Sequence, residues 1–154
     1  MAYAEGTEVP VERSRAEIER LLTRYGATEF MSGWNDARSV IQFKAKDRYV
    51  RFELPMPAKD DKRFLRDGRG AVRGPAAREK AWEAERRRRW RALALVIKSK
   101  LEAVETGIAT FEHEFLAHIV MPGGLTVGEM VMPRIAEAYA TGSLLPLLPA
   151  GPDA

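Results

Sequence analysis

Arginine side chains are concentrated in the centre of this chain, in a pattern suited to binding phosphate. Residues 59–100 contain 15 basic and 6 acidic side chains, whereas residues 101–154 contain 1 basic and 7 acidic. A guanidinium group stays protonated and can donate two hydrogen bonds to one oxyanion. This asymmetry indicates a polyanionic partner such as DNA or RNA. The arginines expected to hold phosphates are Arg63, Arg66, Arg69, Arg86, Arg87, Arg88, Arg89 and Arg91.

The alternative for these arginines is a solvated surface, or neutralisation by acidic residues within one molecule or between neighbours. At helical spacing Glu83 lies beside Arg87 and Glu85 beside Arg89. Such i, i+4 pairs stabilise a helix by only about 0.2–0.5 kcal/mol each. The arginines expected to lack a partner of this kind are Arg88 and Arg91.

A second candidate nucleic-acid surface lies on a predicted hairpin. Lys44, Tyr49 and Arg51 share its polar face, and Trp34 is expected nearby. Cations beside flat rings bind single strands by attracting the backbone and by stacking on bases, which contributes about 1–3 kcal/mol per base. The alternative is that Tyr49 is an ordinary strand aromatic covered by the C-terminal helices.

Two tryptophans flank an arginine on one face of a predicted long helix. Trp82, Arg86 and Trp90 follow one another at intervals of four residues. This spacing permits a cation–π contact, in which the guanidinium lies over a ring. Packing in the core is the favoured role of both tryptophans, with a dimer seam as the alternative where the helix outreaches the sheet.

No pattern of residues predicts catalysis, a metal or a cofactor. The chain has no cysteine, which excludes disulfides and thiolate ligands. His113 and His118 are five residues apart, about 140° around a helix, so they cannot share a metal ion. Glu114 and His118 could offer two ligands, but a catalytic site needs a third. Carboxylates such as Asp36 and Glu53 leave a metal-dependent nuclease as a remote alternative.

The N-terminal part of the chain predicts a helix followed by three strands. Ser14 and Glu17 form the pattern of a capping box, and Gly26 supplies a left-handed stop, which together predict a helix over residues 14–25. Alternating polar and apolar residues then predict strands over 28–34, 40–45 and 48–54.

The last two strands are expected to form a hairpin around Lys46 and Asp47. This register places the large apolar residues on one face and the polar ones on the other, which supports it. The expected pairs are Ala45 with Arg48, Phe43 with Val50, Ile41 with Phe52, Lys44 with Tyr49 and Gln42 with Arg51.

The rest of the chain is predicted to be helical, with irregular segments between the helices. A mobile basic loop is expected over 58–75 and a helix over 76–106, about 45 Å long and longer than the sheet. Shorter helices are predicted over 111–120 and 126–139, and the leucine- and proline-rich tail from Ser143 is predicted to cover an apolar groove.

This order of elements predicts a single α+β domain over residues 1–154: an N-terminal helix, a three-stranded antiparallel sheet, a long helix and a C-terminal helical extension. Its parts are a helix plus sheet over 14–57, the basic loop over 58–75, the long basic helix over 76–106, and an acidic extension with a proline-leucine tail over 110–154.

Several stretches resemble a small uncharacterised family of bacteriophage and prophage proteins. They are Tyr25–Phe30, Arg89–Leu93, Glu114–Pro122 and Leu144–Pro149, and the likeness covers most of the chain. The family carries no assigned activity. The resemblance implies only a setting, in which small basic proteins serve replication, recombination or packaging.

These observations predict a non-catalytic protein that binds single-stranded or structurally varied DNA or RNA. The acidic C-terminal block is expected to dock a protein partner or to compete for the cationic surface. We expect a cytoplasmic location and no membrane association, because neither a leader sequence nor a long apolar run is present. The alternative is an assembly protein that forms a homo-oligomer through its basic and acidic blocks.

Overall fold

A three-stranded antiparallel sheet with helices against one face forms the centre of the molecule, which confirms the predicted α+β fold. The computed structural model describes residues 4–148. Short 3₁₀ turns occur at Lys62–Phe64 and Leu116–His118. The main elements are α1 (Val11–Tyr25), β1 (Glu29–Trp34), β2 (Arg38–Ala45), β3 (Arg48–Pro55), α2 (Pro75–Glu105), α3 (Phe111–Phe115) and α4 (Val127–Thr141).

The hairpin between β2 and β3 has the predicted register. Its pairs include Phe43 with Val50 and Ile41 with Phe52, and the sheet order is β1-β2-β3. Lys46 and Asp47 adopt φ values of 50° and 58°. Both therefore lie in the left-handed region that a tight two-residue hairpin loop requires, although neither is glycine.

Helix α1 begins one turn earlier than predicted, so the proposed capping box is wrong. The N-cap is Pro10, whose carbonyl oxygen accepts from the Ser14 N–H at 3.2 Å, and no side chain caps the helix. Ser14 is therefore already inside the first turn, and it is fully buried. The stop at Gly26 is confirmed, since this residue has φ 109° and donates to Leu22.

The core lies between the sheet, α1 and the second half of α2. Ile18 and Leu22 of α1, Phe43 of β2 and Ile97 of α2 are all buried there. On α2 the buried residues begin at Trp90, so the first half of this 31-residue helix extends beyond the core as predicted. A helix of this length spans about 45 Å.

The segment before α2, which the sequence predicts as a mobile basic loop, has local structure of its own. Phe64 is only 4% exposed, and a 3₁₀ turn surrounds it. Asp61 caps this turn by accepting from the Arg63 N–H at 2.9 Å, and an isolated bridge pairs Arg66 with Val72. The segment lies along the first half of α2, and we call residues 58–89 together the overhang.

The chain after α2 adds a small helical extension. Thr110 caps α3 by accepting from the His113 N–H, and Thr126 and Glu129 form a capping box at the start of α4. The helix predicted over 111–120 ends at Phe115, because Ile119 forms a bridge with Val50 at the edge of β3. Leu144, Leu147 and Leu148 are exposed, at 98%, 45% and 49%, so these leucines are not buried in a groove as predicted; residues 149–154 lie outside the described part. No helix within residues 4–148 is long and apolar enough to cross a membrane.

Candidate nucleic-acid interface

The ten cations predicted to bind phosphate fall into two groups in the structure. Six have a carboxylate oxygen within 4.0 Å: Lys44, Arg51, Arg63, Arg88, Arg89 and Arg91. The other four have no carboxylate at that distance among residues 4–148. They are Arg66, Arg69, Arg86 and Arg87, and all four lie in the overhang.

Glu85 holds three of the paired arginines. Its carboxylate accepts from Arg88 Nε at 2.9 Å and from Arg89 Nε at 2.8 Å, and Arg63 Nη1 lies 4.0 Å away. Burial acts to raise the pKa of Glu85, but the hydrogen bonds from Arg88 and Arg89 outweigh it and lower the pKa below its ordinary value. The expectation that Arg88 is unpaired is therefore wrong, and Glu85, not Glu83, is the main acidic partner on α2.

Arg91 is also paired, contrary to the prediction. Its Nη1 donates to the Glu17 carboxylate of α1, so this ion pair connects the two helices that pack on the sheet. Arg87 is half-buried, and within the described part of the chain it has no carboxylate within 4.0 Å and its Nε has no hydrogen-bond partner. The exposed cationic surface of α2 is therefore smaller than the sequence suggests.

The predicted hairpin surface is neutralised by its own neighbours. The Tyr49 hydroxyl donates to Glu29 at 2.9 Å, which raises the pKa of Tyr49, and Lys44 lies 3.7 Å from the same carboxylate. Arg51 donates to Glu129 at 3.0 Å and to the Gly124 carbonyl at 2.8 Å. The C-terminal extension thus pairs with the Arg51 guanidinium. Tyr49 remains partly exposed.

Trp34 does not join Tyr49, because the two residues lie on opposite faces of the sheet. Trp34 pairs with Ser39, and Ser39 shares its face of β2 with the buried Ile41. Tyr49 pairs with Lys44 on the other face. The expectation that Trp34 stacks near Tyr49 is therefore wrong. Trp34 is 77% exposed and points instead toward the side on which α2 packs.

The residues around Trp34 form a cleft of about 560 Å³ against the overhang. Asn35 fixes one wall, since its Oδ1 accepts from the N–H groups of Ala37 and Arg38 at 2.9 Å each. The Ala37 carbonyl in turn accepts from the Met56 N–H at 2.9 Å. We call this the Trp34–Trp82 cleft; it is lined by Trp34, Asn35, Asp36, Ser39, Met56, Pro57, Ala58, Lys59, Trp82 and Arg86.

Trp82 forms the opposite wall and holds two cations. Its Nε1 donates to the Pro57 carbonyl at 2.9 Å, which fixes the ring. Lys59 Nζ lies 4.6 Å and Arg86 Cζ 4.8 Å from the ring centroid. The expected core role holds for Trp90, which is buried, but Trp82 lies outside the core and makes the cation–π contact instead. The contribution of Lys59 could not be found from helical spacing, because it belongs to another segment.

The histidines and the carboxylates considered as ligands or nuclease residues lie apart or have other partners. Within residues 4–148 no three His, Asp or Glu side chains come together as metal ligands would. His118 stacks on Phe52 with their ring centroids 4.0 Å apart, and burial lowers its pKa below 6.5. Glu53, a candidate for a nuclease site, pairs with Arg38 at 2.9 Å.

No protein-family model, curated protein or solved structure matches this chain. Its function therefore has to be inferred from the arrangement of its own residues.

Proposed function

We propose that this chain is a non-catalytic nucleic-acid-binding protein whose interface is the overhang. The observation that carries the proposal is the set of overhang cations without a carboxylate within 4.0 Å among residues 4–148. Arg86 is half-buried and faces the cleft, and the exposed members are Lys62, Arg66, Arg69 and Lys80. Arginine and lysine that are not already neutralised can exchange counterions for phosphates, which drives binding to nucleic acid.

The positions of the acidic residues that pair with the cations favour the overhang over the hairpin surface as the interface. Lys44 and Arg51 would have to give up Glu29 and Glu129 before they could bind phosphate. Among residues 4–148 the Arg66 guanidinium donates only to the Gly70 carbonyl, at 2.8 Å, so its other N–H groups are available for an external oxyanion. The arginines held by Glu85 lie in the same region and keep it positive overall.

A single strand suits this surface better than a duplex does. The only mostly exposed tryptophan, Trp34, lies at its edge, and aromatic rings beside cations are the usual platform for unpaired bases. Contact with about four phosphates of a single strand would give a slope of roughly −3 for log affinity against log salt. Such binding would serve replication, recombination or packaging in the phage setting that the resemblance implies.

The test is charge reversal at the overhang, compared with the same change elsewhere. One variant carries Arg66→Glu, Arg69→Glu and Arg86→Glu. The control carries Arg13→Glu, Arg20→Glu and Arg24→Glu, at exposed positions on α1, and so has the same net charge. Affinity for a fluorescent oligonucleotide is measured by anisotropy at several salt concentrations. We expect the overhang variant to lose binding and the control to retain most of it.

Equal losses in both variants would mean that only net charge matters and would contradict an interface at the overhang. No binding by the unaltered protein, even in dilute buffer, would overturn the proposal as a whole. Circular dichroism shows whether each variant remains folded.

The second candidate function is assembly, and α4 favours it. No residue of α4 is buried, and Met132 and Tyr139 are 63% and 89% exposed. Exposed apolar side chains at helical spacing can pack against a second copy of the chain. Light scattering without nucleic acid discriminates the two functions. A stable oligomer that is lost on Tyr139→Ser and Met132→Ser, together with a failure to bind oligonucleotides, would favour assembly.

A further inference from the structure

The Trp34–Trp82 cleft has the dimensions and the chemistry of a small-ligand site. Its volume of about 560 Å³ lies within the usual range for pockets that hold small molecules. Apolar walls come from Trp34, Met56 and Trp82, while Lys59 and Arg86 supply positive charge. The site is thus suited to a flat, apolar ring that carries an anionic group.

The two tryptophans have different roles in this cleft. Trp82 is fixed by its hydrogen bond to Pro57, and Lys59 and Arg86 rest against its ring. It therefore positions the cations. Trp34 is mostly exposed at the end of an edge strand, and the Asn35 turn holds the backbone beside it. Its ring is the one on which a ligand can stack.

The charged residues differ between the two walls of the cleft. Asp36 lines it close to Trp34 in the chain, whereas Arg86 and Lys59 lie at the Trp82 wall. A phosphate is repelled by Asp36 and attracted by Arg86, which has no carboxylate within 4.0 Å among residues 4–148. Lys59 is shared with Glu79 at 3.2 Å, an exposed pair of the kind that contributes little. Arg86 is therefore the main phosphate contact.

We infer that the Trp34–Trp82 cleft binds one unpaired nucleotide, with its base stacked on Trp34 and its phosphate held by Arg86 and Lys59. This inference rests on the proposed function and adds to it the selection of single strands, because the bases of a duplex are already stacked and cannot enter. The rest of the overhang then contacts the neighbouring phosphates without regard to base pairing.

The test compares single-stranded and duplex oligonucleotides of equal length with three variants. Trp34→Leu removes the stacking ring and should weaken single-strand binding about 5- to 150-fold while leaving duplex binding nearly unchanged. Trp34→Tyr keeps a ring and should restore most of the affinity. Ile108→Ala, which removes a similarly exposed apolar side chain from the segment after α2, is the control and should have no effect.

Intrinsic fluorescence provides a second measurement on the same proteins. Stacking of a base on Trp34 should quench the emission on addition of thymidine monophosphate or of a single-stranded oligonucleotide. Trp34→Leu should remove most of this quenching; Trp82, on the opposite wall of the cleft, gives the remainder, and Trp90 is buried and cannot contact the ligand. Arg86→Gln should weaken quenching and reduce the salt slope for a single strand by about 0.7, the value for one phosphate contact.

The outcomes separate this inference from the proposed function. Unchanged single-strand affinity in Trp34→Leu, with binding still abolished by charge reversal of the overhang, would overturn the nucleotide site and leave the function intact. Quenching by thymidine monophosphate that depends on Trp34, without binding of any oligonucleotide, would support the site and overturn the function. Equal losses for single strands and duplexes in Trp34→Leu would also contradict the site.

Discussion

Two clusters of cations and aromatic rings, on opposite faces of one sheet, have nearly the same composition and very different surroundings. On the hairpin face, Lys44 lies 5.4 Å from the centre of the Tyr49 ring, and Glu29 contacts both residues. In the cleft, Arg86 lies 4.8 Å from the centre of the Trp82 ring without a carboxylate within 4.0 Å among residues 4–148. The positions of the acidic residues, and not those of the cations, therefore decide which cluster is available to a ligand.

The difference has a simple origin in the fold. Glu29 pairs with Lys44 across neighbouring strands, which places their side chains on one face. Glu129 reaches the same face because the C-terminal extension passes the edge of β3. The first half of α2 extends beyond that extension, so the cations there depend mainly on acids of their own segment, chiefly Glu85.

The largest effect is expected from removing this acidic partner. Glu85→Gln removes the carboxylate to which Arg88 and Arg89 donate, and the side chain of Glu85 is only 14% exposed. We expect the free energy of unfolding in urea to fall by about 1–3 kcal/mol. Affinity for single strands should rise at the same time, because two more guanidinium groups become available. Glu83→Gln, an exposed neighbour with no cation within 4.0 Å in the described part of the chain, is the control.

The stability of Glu85→Gln should also depend on pH differently from that of the unaltered protein. Because the pKa of Glu85 is lowered on folding, its contribution is present above its ordinary pKa of about 4.5 and is lost as pH falls through the lower value. Glu85→Gln should therefore flatten the loss of stability in acid relative to Glu83→Gln. Weaker binding of oligonucleotides by Glu85→Gln would contradict the claim that this carboxylate competes with phosphate.

A smaller effect is expected on the hairpin face. Glu29→Gln replaces the carboxylate beside the Tyr49 hydroxyl and Lys44 by a neutral amide, whose oxygen is a weaker acceptor. The pKa of Tyr49 should fall toward 10, as measured by NMR titration of its ring carbon. Affinity for single strands should rise by no more than about two-fold, because a single exposed ion pair is weak and Arg51 stays with Glu129. A large rise would show that the hairpin face is the real interface.

The sequence predicted what depends on local patterns. The alternation of apolar and polar residues predicted the register of the β2–β3 hairpin, in which Ile41 pairs with Phe52. The helical spacing of apolar residues predicted the length of α2 and its extension beyond the core. Ion pairs between distant residues could not be read in this way. Glu17 lies 74 residues from Arg91, and Glu129 lies 78 residues from Arg51. Local spacing showed only the acids on α2 itself.

The Trp34–Trp82 cleft could not be predicted either, because it is formed by residues that are distant in the sequence. Trp34 is the last residue of β1, and its side depends on pairing with Ser39, which the hairpin pattern alone does not determine. Lys59 reaches Trp82 only because the chain folds back after Pro57. The one local signal for the cleft was the spacing of Trp82 and Arg86, which fits packing in a core as well as a cation–π contact.

The smallest effect concerns the C-terminal extension that covers the edge of β3. His118 stacks on Phe52, and burial, with a smaller contribution from Lys100, lowers its pKa below 6.5. The unfolded chain then binds a proton at a higher pH than the folded one, so stability should fall as pH drops below 6.5 and level off below the folded pKa. His118→Phe keeps a ring on Phe52 and removes the titration.

The expected result is a difference between the two proteins in urea unfolding that appears as pH drops below 6.5 and is absent well above it. His113→Phe is the control, since His113 is exposed and lies on the same extension. Neither substitution should change the affinity for oligonucleotides, because His118 contacts the covered side of β3 and not the cleft. A matching pH dependence of binding would mean that the extension and the overhang are coupled, and the two faces of the sheet could no longer be treated as independent.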